Sequence, residues 1–199
     1  MKADDLIDKL NEKAMEEVNS RHPEAPEDER RGVASDIAIG ALRYFMLKFT
    51  RHTVIAFDLQ EALSFEGETG PYVQYAAVRS RGILRKLVER GEKLPDFAAS
   101  LDRAAMARQL AAEDCWQLLL GASKTGSAMH RAISSGEPAH VAKYAFQLAQ
   151  SFNAFYHDYP VIHEPNPEKR TFLLWMNDYF RWQLEQTLTI LGIPTPAYM

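Results

Sequence analysis

The chain has 199 residues, of which 46% are hydrophobic and 25% charged, and its formal net charge at pH 7 is −4. This composition is typical of a globular protein, and the length is sufficient for one substantial hydrophobic core or two small ones. The negative net charge excludes a protein coated with cations for unspecific nucleic-acid binding, so any RNA contact has to come from a local group of Lys and Arg.

Helical periodicity dominates the N-terminal part of the chain. Apolar residues recur at helical spacing over residues 3–21, and the sequence HPEAP at 22–26 ends this helix. A second helix is predicted over about 27–49, with acidic residues in its first turn, where the positive end of the helix dipole favours them. The β-branched stretch 53–58 finds no partner strand, so we interpret it as a connection, followed by one or two helical turns up to Gly67.

The helical pattern continues to the C-terminus. A helix over 71–90 follows Gly70-Pro71, because proline is tolerated at the first helical position. A loop is predicted over 91–100, shorter helices over 101–136, and long helices over about 139–159 and 168–191, the last of them ended by Gly192. The pattern predicts an all-α fold, a single helical bundle of about six or seven helices that forms one domain over residues 1–199.

Catalytic and metal-binding motifs are not apparent. The sole cysteine, Cys115, lies in the apolar run EDCWQLLL, where a thiol is typically a small core residue and only in a minority of proteins a nucleophile. HEPNP (163–167) lacks the helical HExxH spacing, and in GASKTGS (121–127) the lysine precedes the second glycine, unlike a phosphate-binding loop. We therefore expect no catalytic residue, no metal site and no cofactor in this chain. A single cysteine suits the reducing cytoplasm, and no apolar run approaches the ~20 residues of a membrane span.

The stretch ETGPYVQYAAVR (68–79) is the most unusual part of the sequence. On a helix that starts at Gly70-Pro71, Tyr72, Tyr75 and Arg79 lie along one stripe, and Gln74 lies about a third of a turn away. Two phenol rings and a guanidinium in this arrangement can stack with the unpaired bases of an RNA loop. An aromatic stripe at helical spacing is more often part of a core, and spacing alone favours that interpretation for both tyrosines.

Longer segments of the chain resemble a known family. The order IGALRYFML, FDLQEALSFEGETGPYVQYAAVRSRGIL, LAQSFNAFYHDYPVI and LGIPTPAYM is similar to the C-terminal, DALR-type anticodon-binding domain of class I arginyl-tRNA synthetases, over almost the whole chain. The resemblance implies a helical bundle that docks on the anticodon stem and loop of arginine tRNA, whose anticodons share a central C. Matched residue by residue, it implies that the following side chains contact the tRNA: Tyr72, Gln74, Tyr75, Arg79, Trp175 and Met199.

Two positions of the stretch ETGPYVQYAAVR differ from a simple transfer of the family's contacts. Tyr72 is the contact residue that we most expect to be structural. Ala77 stands where family members often have a histidine, which removes one contact that the family makes.

The HIGH and KMSKS signatures of a class I synthetase are absent from the sequence. The resemblance therefore implies that this chain does not activate arginine by itself, and that ATP and Mg belong to the catalytic domain of a parent synthetase. The implied partners are the arginine tRNA and that catalytic domain, with no membrane contact. Two alternatives stay open: a helical protein-interaction or dimerisation domain that kept the fold without RNA binding, and an enzyme that uses Cys115.

Overall fold

The computed structural model describes residues 2–199, so Met1, the first residue of the predicted domain, lies outside the described residues. Within this range the chain is all-α, as predicted, and no helix has the length and hydropathy needed to cross a membrane. The predicted number of six or seven helices is too low. The ten helices within residues 2–199 are α1 (Ala3–Arg21), α2 (Glu27–Leu47), α3 (Leu59–Leu63), α4 (Gly70–Glu89), α5 (Phe97–Ser100), α6 (Arg103–Gln109), α7 (Glu113–Ala122), α8 (Thr125–Ser135), α9 (Ala139–Asp158) and α10 (Pro167–Ile190).

Three of the ten helices are short, namely α3, α5 and α6; helical turns before Gly67 and a helix that begins at residue 101 are predicted from the sequence, so α5 alone lies in a predicted loop. Each of the three begins at an aspartate whose side chain accepts hydrogen bonds from backbone N–H groups of the first turn: Asp58, Asp96 and Asp102. These helices have 5, 4 and 7 residues, and the four residues of α5 are too few to display an apolar period. The predicted loop over 91–100 therefore contains a helical turn, whereas 53–58 is an irregular connection as predicted.

The hydrophobic core has a main region, a second region and a small third cluster of Ala41 and Phe45 of α2 with Ala62 of α3. The main region lies among α4, α7, α9 and α10, with buried aromatic rings at its centre, and the second lies between α1 and α2 around Leu10 and Ile37. The central rings of the main region are Phe152, Phe155, Phe172 and Phe180. Burial of each such side chain contributes about 1.5–3 kcal/mol, and truncation of Phe180 to alanine would cost about 3–5 kcal/mol.

Helix α4 lies at the centre of the bundle, in contact with α2, α9 and α10. The hydroxyl of Thr69 accepts a hydrogen bond from the N–H of Tyr72 at 3.3 Å, and Pro71 occupies the first turn. A Cβ on Gly70 would overlap the carbonyl group of Gly40, so α2 and α4 approach each other closely at this point. Capping, proline and glycine thus fix both the start of α4 and its distance from α2.

The C-terminal tail (residues 191–199) folds back along α4. Gly192 has a φ of 65°, and the N–H of Ile193 donates to the carbonyl of Leu188 at 2.8 Å, which ends α10 at the predicted position. The amide of Gln74 then donates to the carbonyl of Pro194 at 2.8 Å. These contacts fix the path of the tail and bring Met199 beside α4.

Candidate nucleic-acid interface

A cleft of about 330 Å³ lies between α4 and the C-terminal part of α9. We call it the α4–α9 cleft. Three basic side chains, two phenol rings and the last residue of the chain are among its lining residues: Arg79, Arg85, Lys86, Tyr75, Tyr156 and Met199.

Arg79 is the central side chain of the α4–α9 cleft. Its Cζ atom lies 4.6 Å from the ring centroid of Tyr75 and 4.9 Å from that of Tyr156. Its Nη1 donates to Oδ1 of Asn153 at 3.1 Å, and its Nη2 donates to the hydroxyl of Tyr75 at 3.2 Å. A guanidinium has five N–H donors, so donors remain for a ligand. The stacking holds the group in place, at about 0.5–1 kcal/mol for each exposed cation–π contact.

The charge of Arg79 is not neutralised by a carboxylate. No ion pair among residues 2–199 includes it. Its partners are neutral phenols and an amide, which orient the guanidinium without cancelling its charge. A fixed planar cation between two aromatic rings is suited to an anionic or acceptor-rich planar ligand.

Tyr75 is held from behind by the α3–α4 connection. The ring of Phe65 packs edge-on against it, with 6.4 Å between centroids and 84° between planes, and Arg21 of α1 covers Phe65. The phenol is half-buried. Its position is thus determined by residues outside α4.

Tyr72 and Gln74 do not line the α4–α9 cleft. Tyr72 is half-buried beside the main core and packs on Phe146, with 5.3 Å between ring centroids. Gln74 is 0% exposed, and its Nε2 donates to the carbonyls of Asp36 and Pro194, each at 2.8 Å. The Gln74 amide thus makes contacts within the chain, because Gly40 has no side chain and leaves room for it against α2, and its contact with tRNA stays a prediction.

Trp175 and Met199 lie in different places. Trp175 stacks on Tyr179 within α10, with 5.7 Å between centroids and 18° between planes, and it does not line the cleft. The reason is the orientation of α10, which turns Asn177 toward Ser80 of α4 and Trp175 to another side. Met199 does line the cleft and also packs against the second core region.

Two further residues of the site did not follow from the sequence: Tyr156, which lines the cleft, and Asn153, which accepts a hydrogen bond from Arg79. Both lie on α9, whose apolar stripe was recognised, but on a flank of that stripe. The available signal was an aromatic residue outside the stripe, and Tyr156 is in fact 39% exposed. Only the packing of α9 on α4 brings it to Arg79.

The environment of Cys115 is unsuited to a nucleophilic thiol. Burial raises the pKa of the Cys115 thiol, which is 4% exposed and donates to the hydroxyl of Tyr159 at 3.3 Å. A raised pKa disfavours the thiolate, the reactive form, so Cys115 acts as a small core residue. No group of three or more His, Cys, Asp and Glu side chains within residues 2–199 could hold a metal ion.

Comparison with known proteins identifies similar chains. The model of the DALR anticodon binding domain matches residues 73–199. The chain is 36% identical over 196 residues to an arginine–tRNA ligase of Hyphomonas neptunium, covering 96% of the chain and 31% of that protein. It is 31% identical over 192 residues to an arginine–tRNA ligase of Treponema pallidum, covering 96% of the chain and 32% of that protein. The chain thus spans about a third of the length of these curated relatives.

Solved structures share the arrangement of the helices. The arginyl-tRNA synthetase of Thermus thermophilus superposes with a TM-score of 0.82 and 31% identity, over 100% of this chain and 32% of that one. The arginyl-tRNA synthetase of Plasmodium falciparum gives the same TM-score of 0.82 at 20% identity, over 100% of this chain and 34% of that one, a likeness of fold.

Proposed function

This chain belongs to the family of DALR anticodon binding domains, and on this premise we propose that it binds the anticodon stem and loop of an arginine tRNA. The proposed site of the loop is the α4–α9 cleft. Arginine codons have G in the middle, so the base to be recognised is the central C of the anticodon.

The stacked, uncompensated guanidinium of Arg79 is the observation that supports this proposal most. Unpaired bases in an RNA loop are bound by stacking on aromatic rings or guanidinium planes, with hydrogen bonds to their edges. Tyr75 and Tyr156 supply the rings, and Arg79 supplies donors for the O2 and N3 acceptors of cytosine. Met199 adds an apolar wall at the edge of the cleft.

Binding of a fluorescent hairpin with the arginine anticodon arm tests the proposal, measured by fluorescence anisotropy. A second hairpin differs only in the central base of the anticodon. We expect Tyr75→Ala and Tyr156→Ala to weaken binding of the first hairpin by about 1–3 kcal/mol, roughly 5- to 150-fold, since each stacked base contributes that much. Trp182→Ala is the matched control, because Trp182 is 51% exposed on α10 and lies outside the cleft. Unchanged binding by both tyrosine variants would refute the site.

Arg79→Ala separates two roles of the guanidinium. If Arg79 contacts the base, the variant loses discrimination between the two hairpins and keeps the dependence of log K on log salt. If Arg79 contacts a phosphate, the variant binds both hairpins more weakly and the salt slope falls by about 1.

A catalytic domain is the second partner that we propose for this chain. We propose that the chain works with a catalytic domain that activates arginine with ATP and Mg, because its relatives are arginine–tRNA ligases of which it spans 31–32%. A reading frame upstream of Met1 that encodes the HIGH and KMSKS signatures would support this, and a stop codon there would favour a free-standing module.

The protein-interaction alternative depends on a different surface. An apolar groove of about 520 Å³ between α8 and α10 includes Ile133, which is 76% exposed, and Ile190. Size-exclusion chromatography and a tRNA gel shift on one sample distinguish the two functions. A stable dimer that shifts no tRNA would replace the proposed function.

A further inference from the structure

The groove between α8 and α10 is lined mainly by apolar side chains, and we call it the α8–α10 groove. The hydroxyl of Thr125 donates to Oε1 of Gln183 at 2.6 Å, so the two helices meet at the start of α8. Beyond this point α8 packs against α9 rather than α10. The space left between α8 and α10 has a volume of about 520 Å³.

The floor of the α8–α10 groove is buried and its walls are exposed. Val141 of α9 and Leu191, at the end of α10, are buried and form the floor. Ile133 of α8 and Ile190 of α10 lie on the two sides, and both are exposed large apolar side chains. Exposed apolar side chains around a concave surface are typical of a site for a partner molecule, whereas single ones scattered over a surface are not.

Arg43 of α2 is the charged residue that lines the groove. No ion pair among residues 2–199 includes it. Its guanidinium lies against Gly192, where a Cβ would overlap Nη1, so the glycine after α10 makes room for it. The C-terminal end of α10 contributes only about half an elementary negative charge. The groove therefore has an excess of positive charge beside its apolar walls.

The segments that form the groove contain only two acidic residues, Glu137 and Glu185. These segments are residues 37–57, 115–157 and 182–193. Glu137 is paired with Arg51 at 3.3 Å, and Glu185 is paired with Arg81 at 2.6 Å. Neither carboxylate is free to repel an acidic partner, so the charge of the groove favours a partner with Asp or Glu side chains.

The size of the groove limits what it can hold. Helix α8 has 11 residues, so the groove is roughly 16 Å long at about 1.5 Å per residue. A helix with its side chains is about 10 Å wide, so one helix of about three turns fits. A contact of this size lies at the low end of interface areas, below about 1,200 Å² in total, whereas obligate dimers bury about 2,000 Å² or more. The groove is therefore suited to a partner that binds and dissociates.

A second copy of this chain is poorly suited to fill the groove. In a two-fold symmetric dimer, the same patch of each copy meets its counterpart. Two concave grooves that face each other leave the space between them unfilled, and they bring the two Arg43 side chains, which have the same charge, into one interface. A convex partner of opposite charge avoids both penalties.

We propose that the α8–α10 groove binds an acidic amphipathic helix of another protein. Apolar side chains at offsets i, i+4 and i+7 of that helix pack between Ile133 and Ile190, over Val141 and Leu191. A carboxylate beside this apolar stripe pairs with the guanidinium of Arg43, which can accept both of its oxygens. This binding site is independent of the proposed RNA site and adds a protein partner to the chain.

The experiment uses the full chain and three labelled synthetic peptides, with binding measured by fluorescence anisotropy. The acidic peptide is an amphipathic helix with leucines at offsets i, i+4 and i+7 and glutamates beside them. The rearranged peptide has the same composition without a common apolar face, and the basic peptide has lysine in place of each glutamate. We expect the acidic peptide to bind at least about tenfold more tightly than either of the others.

Two pairs of variants locate the site. Ile133→Asp places a carboxylate in the apolar wall and should weaken binding of the acidic peptide at least about tenfold, whereas Val88→Asp, at an exposed valine of α4 outside the groove, should leave it within about twofold of the parent. Arg43→Glu should weaken binding of the acidic peptide about tenfold and strengthen binding of the basic peptide by a similar factor. Arg131→Glu makes the same charge change at an exposed residue of α8 outside the groove, and should change both affinities by less than about threefold. A loss of stability does not produce such a reversal of preference.

Several results would overturn this assignment. No binding of the acidic peptide by the parent would do so, as would equal binding by the parent, Ile133→Asp and Arg43→Glu. If sedimentation velocity shows a dimer of the parent that Ile133→Asp dissociates, the occupant of the groove is a second copy of the chain and not another protein.

The hairpin of the anticodon arm separates this inference from RNA binding. The α8–α10 groove shares no lining residue with the α4–α9 cleft, so the parent should bind the acidic peptide equally with and without the hairpin. Displacement of the peptide by the hairpin would make the groove part of an RNA site and refute the protein partner. A parent that binds the peptide and no RNA refutes the proposed function and leaves the groove assignment intact.

Discussion

The variant Gln74→Met tests whether the side chain of Gln74 positions the C-terminal tail or contacts RNA. The Gln74 amide is 0% exposed and donates two hydrogen bonds of 2.8 Å, to Asp36 in α2 and to Pro194 in the tail. Methionine keeps the unbranched shape and removes both donors. The carbonyl of Asp36 retains the N–H partner that the α-helical pattern gives it, so the carbonyl of Pro194 is the group that loses its partner.

The expected loss of stability follows from these contacts. Two hydrogen bonds at about 1 kcal/mol each set an upper value of about 2 kcal/mol. Part of this is offset, because Oε1 of Gln74 is buried without a partner and disappears in the variant. We therefore expect the free energy of unfolding to fall by about 1–2 kcal/mol, and the melting temperature by roughly 2–8 °C for a chain of this size.

Urea unfolding, hydrogen exchange of residues 191–199 and hairpin binding are measured on the same samples. Gln117→Met is the control, since Gln117 is exposed on α7 and the chemical change is identical. A positioning role predicts that stability, tail protection and hairpin affinity decline together in Gln74→Met. A variant that binds the hairpin poorly, with the urea midpoint and tail exchange of the parent, would show that Gln74 contacts RNA and that the positioning argument is wrong.

Three other residues give independent tests of the packing. Because burial raises the pKa of the Cys115 thiol, its reaction with a maleimide at pH 8 should be at least about tenfold slower than in the urea-unfolded chain, and equal rates would refute its burial. Burial also raises the pKa of Asp36, so the folded state holds the proton more tightly than the unfolded state and loses stability as pH rises through this range. Asp36→Asn should therefore raise the melting temperature at pH 7, where the buried carboxylate is charged, and not below about pH 3, where it is protonated. An equal gain at the two pH values would contradict burial of a charge as the reason. Gly70→Ala should lower the free energy of unfolding by about 1–3 kcal/mol, because the new Cβ would overlap the backbone of Gly40. Gly82→Ala, in open space on the same helix, should raise it by about 0.5–1 kcal/mol. Equal effects of the two variants would refute the close approach of α2 and α4.

Local geometry was predictable from the sequence. The start of α4 followed from Gly70-Pro71 to within a residue, because caps and prolines act on the backbone beside them. The stripe of Tyr75 and Arg79 followed from an offset of four residues, and the structure brings both to one cleft. The DALR-type anticodon-binding identity followed from long segments of matching order, and the family match over 73–199 confirms it.

Contacts between distant elements were not predictable in the same way. The direction of Gln74 depends on the absence of a side chain at Gly40, which no local pattern in α4 reveals. Tyr156 becomes a cleft residue only because α9 packs on α4, and Trp175 is excluded only because α10 turns Asn177 to that helix. Helical periodicity identifies the buried stripe of a helix, but it does not identify the neighbour that each flank of the stripe meets.

The pairing of charges reconciles an acidic chain with an RNA-binding surface. Most arginines lie in ion pairs, and an RNA phosphate would have to displace a carboxylate to reach them. These paired arginines are Arg21, Arg31, Arg51, Arg81, Arg85, Arg108, Arg170 and Arg181. Within residues 2–199 the arginines without such a partner are Arg30, Arg43, Arg79, Arg90, Arg103 and Arg131, and among them Arg79 is the one that stacks between Tyr75 and Tyr156. The acidic first turns of α1 and α2 repel RNA, since like charges raise the free energy of a wrong orientation. A net charge of −4 therefore weakens unspecific binding, and selective binding depends on local cations without carboxylate partners, such as Arg79 in the α4–α9 cleft.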